Sequence, residues 1–321
     1  MKKMKMFALL GTILIATSCK KDEPVIVDPI DESGPSATAL TNFINNNIED
    51  RTQHFTVDAN ATILVTGANG TTLSLGANML EDASGNPVIG NVDISLIEID
   101  TKADMVLLDK STNGLKANGD HSTLISAGEF FVTVTQGGEE LVLLEPMKLK
   151  SPVREYDDEM RKFVDVGEED LLWGLAEDSL LELIDTMIDG RVIFTVEYGI
   201  LPGEWGWTNI DKFYNDPRPK TMIYAELPVG FDNTNTEVYI SYNGESNALA
   251  NFDVWEDGRF TEHYGLIPIG LEVNFVAVAI IDGVLNYVIQ PTTIVDNHVE
   301  EITGFTSISE DELTTLINDL P

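Results

Sequence analysis

Alternation of apolar and polar residues dominates residues 55–153 and predicts a series of β-strands. The turn sequences Gly67-Ala68-Asn69-Gly70 and Ser84-Gly85-Asn86-Pro87 interrupt the alternation. The alternating runs, in chain order, are 62–66, 71–75, 91–96, 130–134 and 141–144. Short strands separated by turn signals are typical of a β-sandwich.

One of these runs changes phase. Val92, Ile94 and Leu96 alternate with polar residues, and the apolar positions then shift to Ile97 and Ile99. A strand that changes its buried face in this way predicts a β-bulge.

A second stretch, residues 191–321, has the same texture and predicts a second sandwich. Its strands are predicted at 191–198, 221–227, 237–242, 271–281 and 285–290. The run 271–281 is apolar on both faces, which indicates a central strand that is covered on both sides. Asp282-Gly283 follows it and predicts a tight hairpin.

Helical spacing of apolar residues occurs in three places. At 38–49 the face consists of Leu40, Phe43, Ile44 and Ile48. A connecting helix is predicted within 154–190, where Gly190 takes the position of a C-terminal cap. Its apolar face consists of Leu172, Leu175, Ala176, Leu180, Leu183, Ile184 and Met187. The chain ends on a third helix, which starts at the capping box Ser309-Glu310-Asp311-Glu312 and presents Leu313, Leu316, Ile317 and Leu320.

The predicted fold is all-β, with two β-sandwich domains in tandem, a short connecting helix and a C-terminal helix. The predicted segments are a signal peptide at 1–18, an acidic tether at 19–37, the first sandwich at 38–153, the connector at 154–190 and the second sandwich at 191–321.

The first residues of the chain predict export. Three lysines precede a ten-residue apolar run at 6–15, and small residues lead from it to Cys19. A membrane-spanning helix needs about 20 apolar residues, so this run is too short to span. The alternatives are a buried N-terminal helix and an ordinary cleaved signal peptide with an incidental cysteine.

Ala16-Thr17-Ser18-Cys19 resembles the lipobox of bacterial lipoproteins, although Ala16 replaces the commoner leucine. The resemblance implies cleavage before Cys19 and acylation of this cysteine, including palmitate, so that it anchors the chain in a membrane. Lys21, Asp22 and Glu23 resemble a signal that directs some Bacteroidetes lipoproteins to the outer face of the outer membrane. A periplasm-facing anchor is the alternative.

Two further resemblances concern the folded part. Gly67, Gly70 and the sequence Gly85-Asn86-Pro87-Val88, followed by Ala127-Gly128-Glu129-Phe130, resemble a sandwich module of exported Bacteroidetes proteins. That module is distantly similar to modules of ankyrins and netrin receptors, which mediate interactions. Gly206–Phe213 resembles a "GW-in-x-DrF" signature of exported proteins whose function is unknown.

The charge of the chain restricts its partners. It has 54 acidic and 19 basic side chains, a net charge of −35, together with an ordinary 43% of hydrophobic residues. Such a charge repels nucleic acid and anionic lipid head groups, so no nucleic-acid partner is expected.

Candidate chemistry is sparse in the sequence. His54, His121, His263 and His298 show no metal-ligand spacing, and no nucleophile motif occurs. We therefore expect no catalytic residue and no metal site, with Ca²⁺ on acidic loops as an alternative. Trp207, Trp255 and Tyr264 are candidates for an aromatic platform that stacks on sugar rings; core packing is the alternative.

The sequence therefore predicts a non-catalytic, membrane-anchored envelope lipoprotein that acts as a binding or scaffold module for an envelope protein partner. The alternatives are a surface glycan-binding lipoprotein that works beside an outer-membrane importer and an acidic glycoside hydrolase.

Overall fold

The computed structural model describes residues 34–153, 156–167, 171–188, 191–262 and 265–321. Its helices are α1 (Ala37–Arg51), α2 (Lys102–Leu107) and α3 (Glu310–Asn318). The strands of the first half are β1 (Gln53–Asp58), β2 (Ile63–Thr66), β3 (Thr72–Leu75), β4 (Leu80–Glu81), β5 (Asn91–Ile99), β6 (Asn113–Leu115), β7 (His121–Gln136), β8 (Glu139–Glu140), β9 (Val142–Leu143), β10 (Met147–Val153), β11 (Arg161–Asp165), β12 (Trp173–Leu175), β13 (Glu182–Ile188), β14 (Arg191–Ile200) and β15 (Gly206–Phe213). Those of the second half are β16 (Lys220–Thr221), β17 (Ile223–Glu226), β18 (Thr236–Tyr242), β19 (Leu249–Asn251), β20 (Val254–Glu256), β21 (Arg259–Thr261), β22 (Ile267–Pro268), β23 (Glu272–Ile281), β24 (Val284–Thr293), β25 (His298–Glu301) and β26 (Thr306–Ser307).

The first half is a sandwich of two sheets. One sheet has eight strands in the order β1-β5-β7-β15-β11-β12-β6, with β8 paired to β7, and the other has five in the order β13-β14-β10-β3-β2. The inward side chains of β5 and β7 meet those of β3, β10 and β14 in one apolar cluster. The prediction of an all-β fold of sandwich type is confirmed.

Part of the eight-stranded sheet closes on itself. Strand β6 pairs with β7 on one side and with β12 on the other, so β7, β15, β11, β12 and β6 form a ring. Leu124, Phe163 and Trp173 pack together from three of these strands. Because the indole of Trp173 is completely buried, its Nε1–H needs a partner, and it donates to the Ser111 carbonyl at 2.7 Å.

The second half is a sandwich of a four-stranded sheet, β20-β21-β17-β25, and a five-stranded sheet, β19-β18-β23-β24-β26. Strand β23 lies between β18 and β24 and is buried on both faces, which confirms the predicted central strand. The predicted hairpin after it is also confirmed. Asp282 and Gly283 both have positive φ, 51° and 75°, as a two-residue turn between twisted strands requires.

A layer that we call the seam joins the two sandwiches. It lies between the outer face of the eight-stranded sheet and the outer face of the second sandwich's five-stranded sheet. Both sheets and all three helices contribute to its apolar cluster, which includes Leu40, Ile97, Ile99, Met105, Leu107, Tyr239, Leu249, Val276, Val278, Leu313 and Ile317. Burial of each aliphatic side chain of this kind contributes about 1.5–3 kcal/mol to stability. The seam is therefore an apolar core in addition to those of the two sandwiches.

The seam explains why the predicted bulge at Ile97 is wrong. The register of β5 with β7 runs without a break from Asp93 to Ile99. Leu96 packs in the first sandwich, whereas Ile97 and Ile99 pack in the seam. The apolar phase changes because this end of the strand is covered on both faces.

The predicted connecting helix is also wrong, because residues 173–175 and 182–188 are strands. Strand β13 pairs antiparallel with β14 from Glu182 to Ile188. Gly190, the predicted C-terminal cap, lies outside the described residues. In the sequence, Asp189-Gly190 is as typical of a hairpin turn as of the end of a helix. The leucine spacing therefore allowed either structure, and pairing with β14 decided it.

The strand pairing places the boundary between the sandwiches later than residue 190. Strand β14 pairs with β10, and β15 pairs with β7, so both belong to sheets of the first sandwich. The second sandwich begins after Phe213.

The predicted terminal helices are confirmed. Helix α1 is capped by the Ser36 hydroxyl, and α3 carries the capping box of Ser309 and Glu312. Directly before α1, Pro35 forms a β-bridge with Ile281, and the backbone N–H of Ser36 donates to the Ile280 carbonyl at 2.9 Å. The first described residues therefore lie against the β23–β24 hairpin. None of the helices in the described ranges is both long and apolar enough to cross a membrane.

Polar groups cross the seam where β19 approaches the segment before β6. The Thr112 N–H and hydroxyl both donate to the Leu249 carbonyl, at 2.9 and 3.0 Å, and the Leu249 N–H donates to the Thr112 hydroxyl at 3.0 Å. Asn113 continues the pairing: its side chain donates to the Asn251 carbonyl at 3.3 Å and accepts from the Asn251 N–H at 3.1 Å.

We predict that Thr112→Val lowers the free energy of unfolding by about 1–3 kcal/mol, because the Leu249 N–H loses its acceptor in a buried layer. The matched control is Thr56→Val, which removes an exposed strand hydroxyl bonded to Asp93 and should cost less than about 0.5 kcal/mol. Urea unfolding of both variants measures the difference. Equal effects of the two substitutions would show that the hydrogen bonds across the seam contribute no stability.

Candidate binding cleft at the seam

A cleft of about 590 Å³ opens at one end of the seam, and both sandwiches line it. Its volume lies within the range of about 300–1,000 Å³ that is usual for ligand sites. The first half contributes Asp109, Lys110 and His121, and the second half contributes Glu237, Asn251 and Asp253. A site built from both halves exists only while the seam holds them together.

Asp109 organises the inner wall of this cleft. Its backbone has a positive φ of 52°, an uncommon conformation for a residue other than glycine. Its carboxylate accepts hydrogen bonds from the Tyr239 hydroxyl at 2.7 Å and from the Asn251 side chain at 3.3 Å. Burial and the nearby carboxylate raise the pKa of Tyr239 well above its usual value, so the hydroxyl remains a donor. The strained backbone of Asp109 is therefore held by contacts across the seam.

Lys110 supplies a positive charge beside this carboxylate. Its ammonium group donates to the Asp109 carbonyl at 3.2 Å and lies 5.6 Å from the centre of the Trp207 ring. Trp207 in turn packs against Phe131, with ring centres 5.4 Å apart. Because the ring face of Trp207 meets the ammonium and its neighbours are apolar, this indole supports the cleft from within the seam.

The two described candidates for the predicted aromatic platform pack in different places. Trp207 is half-buried and packs in the seam, whereas half-buried Trp255 packs edge-on against Phe260 in the core of the second sandwich. The two indoles thus belong to different packing clusters. Tyr264, the third candidate, lies outside the described residues, as do Cys19, Lys21, Asp22 and Glu23.

The histidines are spread over the described fold. His54 contacts the Ser95 hydroxyl at 3.2 Å, and His298 contacts Glu300 at 2.8 Å and stacks on Phe275. His121 lines the cleft, and His263 lies outside the described residues. Within the described ranges, no three histidine, cysteine or acidic side chains form a group that could hold a metal ion.

Two carboxyl groups are completely buried in the seam near Lys110. Glu129 lies opposite Ile99 and Asn209 on the neighbouring strands, so it faces the seam, and Asp211 follows Asn209 after a bulge. Both are 0% exposed. Among the described residues, neither oxygen of Glu129 has a hydrogen-bond partner. The Asp211 Oδ2 accepts from the Asn209 side chain at 2.7 Å, and its Oδ1 has no partner among them.

Burial controls the protonation of this pair. It raises the pKa of Glu129 well above its usual value, and the neighbouring Asp211 raises it further, against the smaller opposing effect of Lys110. Burial likewise raises the pKa of Asp211, against the hydrogen bonds from Ser126 and Asn209. Since a buried carboxylate without donors is costly, the protonated form predominates in the folded protein.

Asp211 lies in a segment that the sequence marks as distinctive, but the sequence does not predict the role of Asp211 itself. Trp207, Asn209 and Asp211 fall within the "GW-in-x-DrF" segment 206–213, which forms strand β15. Glu129 and Asp109 were not predicted. One signal was present for Glu129, because it is an acid directly before the inward-facing run that starts at Phe130.

Comparison with known proteins gives no relative: no protein-family model matches the chain, and no curated protein matches it.

We predict that the effect of Glu129→Gln on the free energy of unfolding depends on pH. In the unfolded chain Glu129 ionises near pH 4.5, whereas in the folded protein it stays protonated to a higher pH. The wild-type protein therefore loses stability as the pH rises from 4.5 toward the folded-state pKa, by about 1.4 kcal/mol for each pH unit. Glutamine cannot ionise, so the variant should gain stability relative to wild type over the same interval.

Urea unfolding of both proteins at pH 4, 5, 6 and 7 measures this gain. Glu139→Gln, an exposed substitution, controls for the loss of one acid from a highly charged chain. A stability difference between Glu129→Gln and wild type that stays constant from pH 4 to 7 would contradict protonation of Glu129 in the fold.

Proposed function

We propose that this protein is a lipid-anchored, non-catalytic protein of the bacterial cell envelope, and that it uses the seam cleft to bind a polar segment of a partner protein. The proposal that the protein binds a partner rests on how the cleft is built. Both sandwiches line it, and the hydrogen bonds of Asp109 and Asn113 fix its inner wall before any partner arrives. A preformed site does not have to be ordered on binding, which favours affinity.

The chemistry of the cleft favours a polar partner. Its lining includes carboxyl groups, amides and one ammonium group, and two of its apolar residues, Phe252 and Phe260, are buried in the core of the second sandwich. A cleft of this composition binds chiefly by hydrogen bonds and charge rather than by apolar contact. It suits a hydrogen-bonding loop better than an amphipathic helix.

The location rests on the sequence of the N-terminus. A basic start, a short apolar run and small residues before a single cysteine support export and acylation of Cys19. Two or three acyl chains anchor a protein stably, because each buried CH₂ contributes about 0.8 kcal/mol. We place the protein at the outer membrane, and Lys21-Asp22-Glu23 favours its outer face.

The packing of the two tryptophans favours a protein partner over a glycan. Stacking on sugar rings needs aromatic faces that are open to solvent. Lys110 lies over the ring of Trp207, and Trp255 is half-buried and packs edge-on against Phe260. No contact among the described residues favours sugar stacking over protein recognition.

We predict that Cys19→Ala abolishes incorporation of labelled palmitate and releases the protein from the membrane fraction, since the acyl chains are the proposed anchor. Cell fractionation and metabolic labelling measure both effects. Ser18→Ala, which keeps a small residue before the cysteine, is the control and should remain labelled and membrane-bound. Membrane association of Cys19→Ala would refute the anchor, and protection of the wild type from protease added to intact cells would refute the outward orientation.

We predict that a photo-crosslinking residue at Asn233, an exposed position in the cleft wall, captures one discrete protein partner in intact cells. The same residue at exposed Glu139, far along the chain in β8, is the control and should not capture that partner. In the protein that carries the crosslinking residue at Asn233, Asp253→Asn in the cleft should weaken capture several-fold, whereas Glu256→Gln on adjacent β20 should not. Equal capture from Asn233 and Glu139 would rule out the cleft as the binding site.

A further inference from the structure

A second cavity, of about 280 Å³, lies at the seam and is separate from the proposed binding cleft. Both halves of the chain line it. Its mouth includes the exposed Ser246 and Asn318, whereas Lys102 and Ser126, which also line it, are 2% and 3% exposed. The cavity therefore opens to solvent and has a buried lysine in its lining.

The amino group of Lys102 is poorly satisfied for a buried cation. Its Nζ donates one long hydrogen bond, of 3.4 Å, to the Tyr242 carbonyl. A lysine ammonium has three donors and is strongly hydrated in water, so burial with one long bond favours the neutral amine. Consistently, burial lowers the pKa of Lys102 to about 8, against the opposing charge of Glu245.

Lys162 shows the usual arrangement of a buried lysine in the same chain. Its side chain is also 0% exposed, but its ammonium donates to the Glu204 carboxylate at 2.9 Å and to the Gly199 carbonyl at 3.0 Å. Lys162 is thus a satisfied structural cation. Lys102 differs from it in lining a cavity and in having a single long hydrogen bond.

We propose that Lys102 is a carbonyl-reactive lysine and that the cavity takes a small polar aldehyde, which forms an imine with its amino group. Once it is deprotonated, the amine of a lysine in a cavity wall is a nucleophile that reagents larger than the cavity cannot reach. Asp100 in the wall and Glu245 nearby disfavour an anionic ligand. The hydroxyl and amide groups of Thr101, Asn247 and Asn318 suit a ligand that carries hydroxyl groups.

The reaction needs no oxidant or cofactor. Lys102 first loses its ammonium proton to solvent through the mouth of the cavity. The Nζ lone pair then attacks the aldehyde carbon, the C=O π electrons move to oxygen, and transfer of a proton from nitrogen to that oxygen gives a carbinolamine. The nitrogen lone pair then forms the C=N bond of the imine as the C–O bond breaks, and the hydroxyl leaves with the remaining proton of the nitrogen as water.

The test uses the intact protein, glyceraldehyde as the probe and cyanoborohydride to trap the imine, with peptide mapping by mass spectrometry. At pH 7 we expect Lys102 to be modified at least about tenfold faster than Lys148, whose side chain is 64% exposed and pairs with Glu197 at 2.7 Å, since a lower pKa gives a larger neutral fraction. The sealed Lys162 should be modified more slowly than either. Modification of Lys102 no faster than that of Lys148 overturns the proposal.

Two further measurements distinguish reaction of Lys102 inside the cavity from the ordinary reaction of exposed lysines. The rate at Lys102 should rise from pH 6 and level off above about pH 8, whereas the rate at Lys148 keeps rising, because the contact with Glu197 raises the pKa of Lys148 above its usual value. Ser246→Trp, at the mouth, should slow modification of Lys102 several-fold, whereas the exposed control Asn118→Trp should not. Identical pH profiles, or no effect of Ser246→Trp, would refute entry through the cavity.

Discussion

The reciprocal hydrogen bonds of Thr112 with Leu249 are the interaction on which the two-sandwich arrangement depends. Each sandwich could bury its own core without the other, but the outer faces that meet at the seam carry Ile99, Tyr239 and Val276, which need a cover. Apolar contact alone would allow the faces to slide, because it has no direction. The backbone and hydroxyl of Thr112 fix one register between the halves, and Asn113 extends it by one residue pair.

The same seam also contains charge, which is unusual for so apolar a layer. Glu129, Asp211 and Lys102 are almost completely buried there, and none of them forms an ion pair of the kind that Lys162 forms with Glu204. Uncompensated ions in such a place are costly, so each of these groups moves toward its neutral form. Neutral acids and amines can occupy a dry layer, and their protonation makes the joint between the sandwiches sensitive to its surroundings.

How far the sequence predicts the structure depends on whether a feature is local. The hairpin at Asp282-Gly283 and the cap at Ser309 follow from neighbouring residues, and both were predictable. The connecting helix failed because the leucines of 172–187 fit two periodicities, and only pairing with β14 distinguishes them.

The cleft could not be predicted from the sequence, because its walls come from residues more than a hundred positions apart. Asp109 meets Tyr239 and Asn251 through the seam, and no spacing in the sequence brings these residues together. The seam itself left one trace, the apolar residues Ile97 and Ile99 on the side of β5 that is polar up to Ser95. Such an out-of-phase apolar residue indicates a second buried face as well as it indicates a bulge.

The attachment of the chain before α1 has a mechanical consequence. Pro35 bridges to Ile281, and the Gly34 N–H donates to the Asp282 side chain at 3.2 Å, so the first described residues hold the second sandwich rather than the first. Tension applied from upstream of Gly34 is therefore transmitted to the tip of the β23–β24 hairpin. Beyond Ser36 the chain continues into helix α1, which packs in the seam. The half of the protein that is encoded last is the first to bear load.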